Sequence, residues 1–182
     1  MQDGDRRRGS SMNETAKRSA IEILDGEWRE LDALFRRLTP AELERPMYTD
    51  DGPGWRVRDL IPHFATWQDR AARAARKVVA EGLTPKPDDR VRTFLGLTDT
   101  VDDMNAVTFA TWRERSVPDL LAEFRSKHDD LMQALAALRP EQFMNGDTVE
   151  DVFAAFRVPG LVHLRKHKGE LATALAKEGA AS

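Results

Sequence analysis

Four histidines are the only imidazoles in the chain, and two of them, His163 and His167, stand four residues apart. On a helix that spacing places both on one face, about 6 Å apart along the axis. Two imidazoles so placed can converge on one ion at ~2.0–2.1 Å from each nitrogen. His63 lies beside Phe64 and one turn before Trp67, close to the face that its own helix buries. A metal held between the two helices would have three neutral ligands and an open position, the pattern of a catalytic site. The same spacing also suits a surface pair with no ligand, and a single buried histidine is commonly a hydrogen-bonded core residue. Spacing alone leaves both readings standing.

Two neighbouring metal chemistries are removed by what surrounds the histidines. A zinc peptidase of the His-Glu-x-x-His type needs a glutamate next to the first histidine, and Leu164 stands there. A di-iron bundle needs Glu-x-x-His, whereas the residues three before the histidines are Leu60, Arg125, Gly160 and Leu164. A mononuclear site is what remains. Around it, Glu170 lies one turn beyond His167, where it could orient an imidazole, take a proton or form an ordinary surface ion pair. His128 falls on an apolar stripe and reads as a core histidine, with a fourth ligand or a proton relay as the alternative. Trp67 and Arg70 follow His63 on one face; Trp67 reads as core, and Arg70 could anchor a carboxylate of a ligand. Asp59 suits the first turn of its helix, serving the dipole, and Trp55 the end of the bundle.

The elements that must position these residues are helices. Apolar residues recur at steps of three and four in four stretches. Ile21, Leu24, Trp28, Leu31, Phe35 and Leu38 form the first stripe; Leu60, Phe64, Trp67, Ala71, Ala74 and Val78 form the second. Leu121, Phe124, His128, Leu131, Leu135 and Leu138 form the third. Leu164, Leu171 and Leu175 form the fourth, led in by Phe153, Phe156 and Val158. No alternating strand pattern occurs, so the expected class is all-α, a four-helix bundle. Thr39-Pro40 and Ser116-Val117-Pro118 read as helix starts, and Thr49 to Gly54 as a loop. A shorter helix over Val101–Arg115 fills a long crossover. Pro159-Gly160 interrupts the last segment, so the fourth helix is expected from about Leu161.

Composition bounds the rest. The 182 residues suit one domain, expected over 14–182 behind a flexible tail over 1–13. Met1 to Ser11 is polar and lacks the apolar core of a secretory signal, Met12 could be the natural start, and the cytoplasm is the expected location. With no cysteine, disulfides, thiolate ligands and Cys nucleophiles are excluded, and any thiol must come from outside. A formal net charge of -3 argues against nucleic acid, and no apolar run reaches the ~20 residues of a membrane span. A small-molecule substrate is the expected partner.

The stretch Gly54-Trp55-Arg56-Val57-Arg58-Asp59-Leu60-Ile61-Pro62-His63-Phe64-Ala65-Thr66-Trp67 resembles the helix 2 signature of the DinB/YfiT-like superfamily. That superfamily includes the mycothiol-dependent maleylpyruvate isomerases and the ClbS/DfsB branch. Leu38 to Leu43 and Leu161 to His167 resemble two further motifs of the superfamily, and Asn105 to Leu138 resembles the middle segment of ClbS/DfsB members. Arg56 departs from the usual capping Ser or Thr, and Pro62 from a small residue. A proline in the first helical turn is harmless; deeper, it would kink the helix and mis-aim His63.

The resemblance implies an up-down-down-up four-helix bundle, often homodimeric, with zinc or nickel held by His63, His163 and His167. It further implies thiol S-transferase or isomerase-like chemistry with mycothiol or bacillithiol as co-substrate. A ClbS/DfsB-like resistance protein that binds or hydrolyses a small molecule without a metal-bound thiol is the alternative. A non-catalytic dimeric interaction protein is the third reading.

Overall fold

The computed structural model describes the backbone of residues 3–49 and 52–176, with side chains from residue 13 onward except those of residues 48, 49, 52, 53 and 158. Helix α1, Asp3–Phe35, buries Leu24, Trp28, Leu31 and Phe35 on its inner stripe, with Ile21 partly buried against them. It starts well before the stripe does. The helix takes in nearly all of the stretch expected as a tail; Met1 and Gln2 lie outside the described residues.

After α1, Thr39 caps the short α2, Pro40–Leu43: its Oγ1 accepts from the Glu42 amide at 3.3 Å, and Glu42 Oε2 accepts from the Thr39 amide at 2.7 Å. The next segment is a hairpin, which corrects the expectation of a loop without strands. Strands β1, Pro46–Thr49, and β2, Gly52–Arg56, pair antiparallel, with Met47 opposite Trp55. Asp50 and Asp51, at the centre of the expected loop, lie outside the described residues. The hairpin is too short and too irregular in register to show a period of two, yet it carries Met47 and Trp55 into the core.

A 3-10 turn, Val57–Asp59, leads into α3, Leu60–Glu81. That helix ends at Gly82, whose φ of 63° is the left-handed C-cap conformation that a side chain disfavours. The crossover carries α4, Val91–Leu95, and α5, Val101–Trp112, which Thr100 caps. Ser116 caps α6, Val117–Ala137, as its sequence suggests, and α7, Pro140–Phe143, comes next. The last segment is α8, Ala154–Arg157, a widened turn over Val158–Val162, and α9, His163–Ala176. The Val158 side chain lies outside the described residues.

The long helices pack as the all-α bundle that the four stripes demand. Phe124 of α6 sits between Phe35 of α1 and Phe64 of α3, ring centroids 6.1 and 6.0 Å away. Burying such a ring fully contributes ~1.5–3 kcal/mol. Leu31, Leu60, Leu131, Leu135, Leu164 and Leu171 complete the interior. Cationic side chains close two helix ends. Lys17 of α1 donates to Ala136 O at 2.9 Å and Leu138 O at 2.5 Å, satisfying carbonyls that α6 leaves open. Arg45 does the same for Ala174 and Leu175 at the end of α9. Among the described residues, no helix is long and apolar enough to cross a membrane.

Candidate metal centre

The start of α3 is built to hold His63 still. Asp59 Oδ2 accepts the Arg56 backbone N–H at 2.8 Å, the reciprocal half of a capping box; the other half, which a Ser or Thr hydroxyl would make, Arg56 does not supply. Arg56 in turn pairs with Asp59 and Glu44. Pro62 is the third residue of α3, in its first turn, where a proline is tolerated, and His63 after it still faces inward. His63 is 2% exposed.

The facing pair is set by a kink. Gly160, at φ −100° and ψ −110°, lies inside the widened turn before α9. A Cβ there would meet Leu24 Cδ1 of α1 at 3.1 Å, so glycine lets the turn approach α1 closely. His163 opens α9 directly after the kink, and His167 stands one turn on. Widened turns of this kind are frequent at functional sites, where they re-aim the side chains beyond them.

Between α3 and α9 the three rings meet. His63 Nε2 is 2.7 Å from His163 Nε2, which is 3.0 Å from His167 Nε2. Aromatic rings surround them: Trp55 packs its edge at 4.8 Å from His63, Phe64 lies 5.5 Å from both His163 and His167, and Trp67 lies 5.6 Å from His163. His167 is fully buried at 0% exposed, while His163 is half-buried.

One tautomer is assigned by its partner. His167 Nδ1 lies 2.5 Å from Glu170 Oε2, and an ionised carboxylate can only accept, so the ring carries its proton on Nδ1. That leaves the Nε2 lone pair facing His63 and His163. Lys166 Nζ, 3.8 Å from Glu170 Oε1, steadies the carboxylate. Three imidazole nitrogens on a common point, one pinned from behind by a carboxylate, form a donor set that could hold a borderline divalent cation such as zinc or nickel. Tetrahedral ligation at ~2.05 Å requires nitrogens ~3.3 Å apart. The His63–His163 and His163–His167 nitrogens, 2.7 and 3.0 Å apart, lie slightly inside that separation.

The family model of the mycothiol maleylpyruvate isomerase N-terminal domain matches residues 24–156. The chain belongs to this family. The family lies within the DinB/YfiT-like superfamily, in line with the all-α bundle. No curated protein and no solved structure matches the chain. The matched span contains His63 but ends before His163, His167 and Glu170, so membership of the mycothiol maleylpyruvate isomerase N-terminal domain family and the convergence of the rings are independent observations.

The other candidate residues of this family member divide. His128 stands outside the three-ring group. Its ring stacks on Trp28 at 3.9 Å and 5°, with Nε2 2.9 Å from Asp25 Oδ1 and Nδ1 3.4 Å from Gln68 Nε2. A neutral ring that donates to Asp25 and accepts from Gln68 satisfies both contacts. Burial lowers the His128 pKa below the usual imidazole value, although Asp25 pulls the other way. Partial burial works against Asp25, but the hydrogen bonds from His128 and Arg29 outweigh it and hold the carboxyl below its usual range. Trp67 is half-buried against the His163 ring, and with Arg70 it lines a cavity of ≈ 270 Å³.

Several site neighbours had no signal in helical periodicity. Asn105, Thr108 and Arg113 of the crossover line a small cleft beside His63 with Trp55 and Asp59. Arg90 and Arg92 reach the larger cavity from the segment before and within α4. Local periodicity says nothing about where a crossover returns.

Proposed function

We propose that the chain is a metal-dependent enzyme that uses an external low-molecular-weight thiol to attack a small electrophile, by S-transferase or isomerase-like chemistry. The observation that carries this reading is the convergence of His63, His163 and His167 Nε2, with Glu170 behind His167. A bound divalent cation would supply a Lewis acid that lowers the pKa of an incoming thiol. The absence of cysteine requires that thiol to come from solution, and membership of a mycothiol-related family supports mycothiol or a similar thiol as its source.

The chain's own residues have separate tasks. Glu170 keeps the His167 proton on Nδ1, so that Nε2 remains a lone-pair donor. The rings of Trp55, Phe64 and Trp67 keep water from the buried side and strengthen electrostatic interactions there. The half-exposed His163 marks the side from which reactants arrive. A thiol titration tests the reading. Metal-loaded protein is expected to convert added thiol to thiolate at neutral pH, as read by ultraviolet absorbance, and metal-stripped protein and His163→Ala are not. Equal thiolate formation in all three samples would overturn it.

A second reading, binding of a small molecule in the bundle without a metal-held thiol, is favoured by the Trp67–Arg70 cavity, which exists apart from the three histidines. Metal-stripped protein that still protects a target from an electrophile would select it.

A further inference from the structure

The cavity beside Trp67 joins two kinds of surface. Trp67 of α3 and Val91, Val101 and Met104 of the crossover give it an apolar wall, and Arg70, Arg90 and Arg92 line it as well. At ≈ 270 Å³ it sits near the lower end of the range for small-molecule sites.

Three arginines line this one cavity in a chain that has 31 acidic residues against 28 basic ones. Arg29, Arg36, Arg56, Arg58, Arg76 and Arg125 all pair with carboxylates. Among the described residues, Arg70, Arg90 and Arg92 form no such pair. Arg90 Nη1 reaches only the carbonyls of Pro87 and Asp89, at 3.4 and 3.2 Å, and Arg92 Nη2 only Thr98 O at 3.5 Å. Unlike the exposed Arg90 and Arg92, Arg70 is half-buried. The Arg70 Nη1 is buried with no hydrogen-bond partner; Asp99 and Asp69 act on it only through their charge, and Asp69 is engaged by Lys127 at 2.9 Å. A buried charged donor without an acceptor is costly, whereas a hydrogen bond to an anion at that position is stronger than a neutral one. Arginine keeps its charge there, and its fork suits a carboxylate.

We propose that this cavity binds a small organic anion, with its carboxylate on Arg70 and its apolar body against Trp67 and the aliphatic wall. Arg90 and Arg92 stand at the exposed edge and draw the anion in. Trp67 is shared with the three-histidine group, since its ring lies 5.6 Å from His163. An anion in the cavity therefore sits next to the place where a thiol would be activated. That link to the reaction rests on the proposed function; binding of the anion does not.

The test compares naphthalene-2-carboxylate with naphthalene-2-carboxamide by calorimetry on the full chain without added metal. The carboxylate is expected to bind one per chain, and the neutral amide about 10- to 100-fold more weakly. Arg70→Gln, checked for fold by circular dichroism, is expected to erase that difference, and Arg70→Lys to restore part of it. His63→Ala is expected to bind the carboxylate as the wild type does, which separates failure of this site from failure of the metal reading. The exposed Arg90→Gln/Arg92→Gln pair is expected to weaken carboxylate binding and flatten its salt dependence, and it serves if Arg70→Gln does not fold. No binding, equal binding of acid and amide, or full discrimination in a folded Arg70→Gln would each overturn the proposal. If Arg70→Gln does not fold, unchanged affinity and salt dependence in the double variant would overturn it.

Discussion

Removing the carboxylate behind His167 should weaken the metal site without touching any of the three nitrogens that form it. Glu170 Oε2 lies 2.5 Å from His167 Nδ1, and the side chain of Glu170 is 19% exposed. A carboxylate behind a ligating imidazole is worth 10- to 100-fold in metal affinity, or ~1.4–2.7 kcal/mol. Solvent reaches part of this one and screens it, which favours the lower half of the range. Glu170→Ala, which leaves the His167 Nδ1 proton without its acceptor, is therefore expected to weaken zinc binding by about 10- to 30-fold. Glu170→Gln keeps an acceptor but not the charge, and should cost only about 3- to 5-fold. Lys166→Ala, at 3.8 Å from the other oxygen, should change affinity by no more than about twofold. Competition against a chromophoric chelator at fixed pH measures all three. Glu170→Ala within twofold of wild type would refute the idea that the carboxylate orients His167.

Two further outcomes concern the scaffold. Lys17→Met removes the cation that holds the Ala136 and Leu138 carbonyls; it should cost about 2–3 kcal/mol, a fall of roughly 5–10 °C in melting temperature, and an unchanged melt would show that water satisfies those carbonyls equally well. For His128, burial lowers the folded pKa below the usual 6.5, so the unfolded chain binds the proton more readily. Its contribution to stability is complete above about 6.5 and is lost as pH falls from there through the lower folded value. Urea midpoints measured over that window should fall with pH more steeply in the wild type than in His128→Gln, and parallel curves would show that His128 contributes nothing to the pH dependence.

What could be read from the sequence was whatever repeats along a helix. The stripe Leu60–Phe64–Ala71–Val78 fixed the buried face of α3 and with it the direction of His63, and the four-residue step from His163 to His167 fixed their common face. Pro159-Gly160 showed the break before them, and Glu170 could be placed on the right face, though not in contact with Nδ1. Features set by tertiary contact were not legible. His128 has an acceptor in Asp25, 103 positions away along the chain, and Lys17 caps a helix whose last carbonyls lie about as far off. The β1–β2 hairpin left no alternation because its two strands are only 4 and 5 residues long. Arg90 and Arg92 reach their cavity only through the path of the crossover, which no periodic pattern encodes.

Whether His63, His163 and His167 together hold a divalent cation is tested most directly by elemental analysis of the untagged chain, loaded with zinc or nickel and then dialysed. A single ion per chain is predicted, lost in both His63→Ala and His167→Ala while their helical content is unchanged. A wild-type chain that retains no ion, or the two variants retaining it in full, would contradict a three-histidine metal centre.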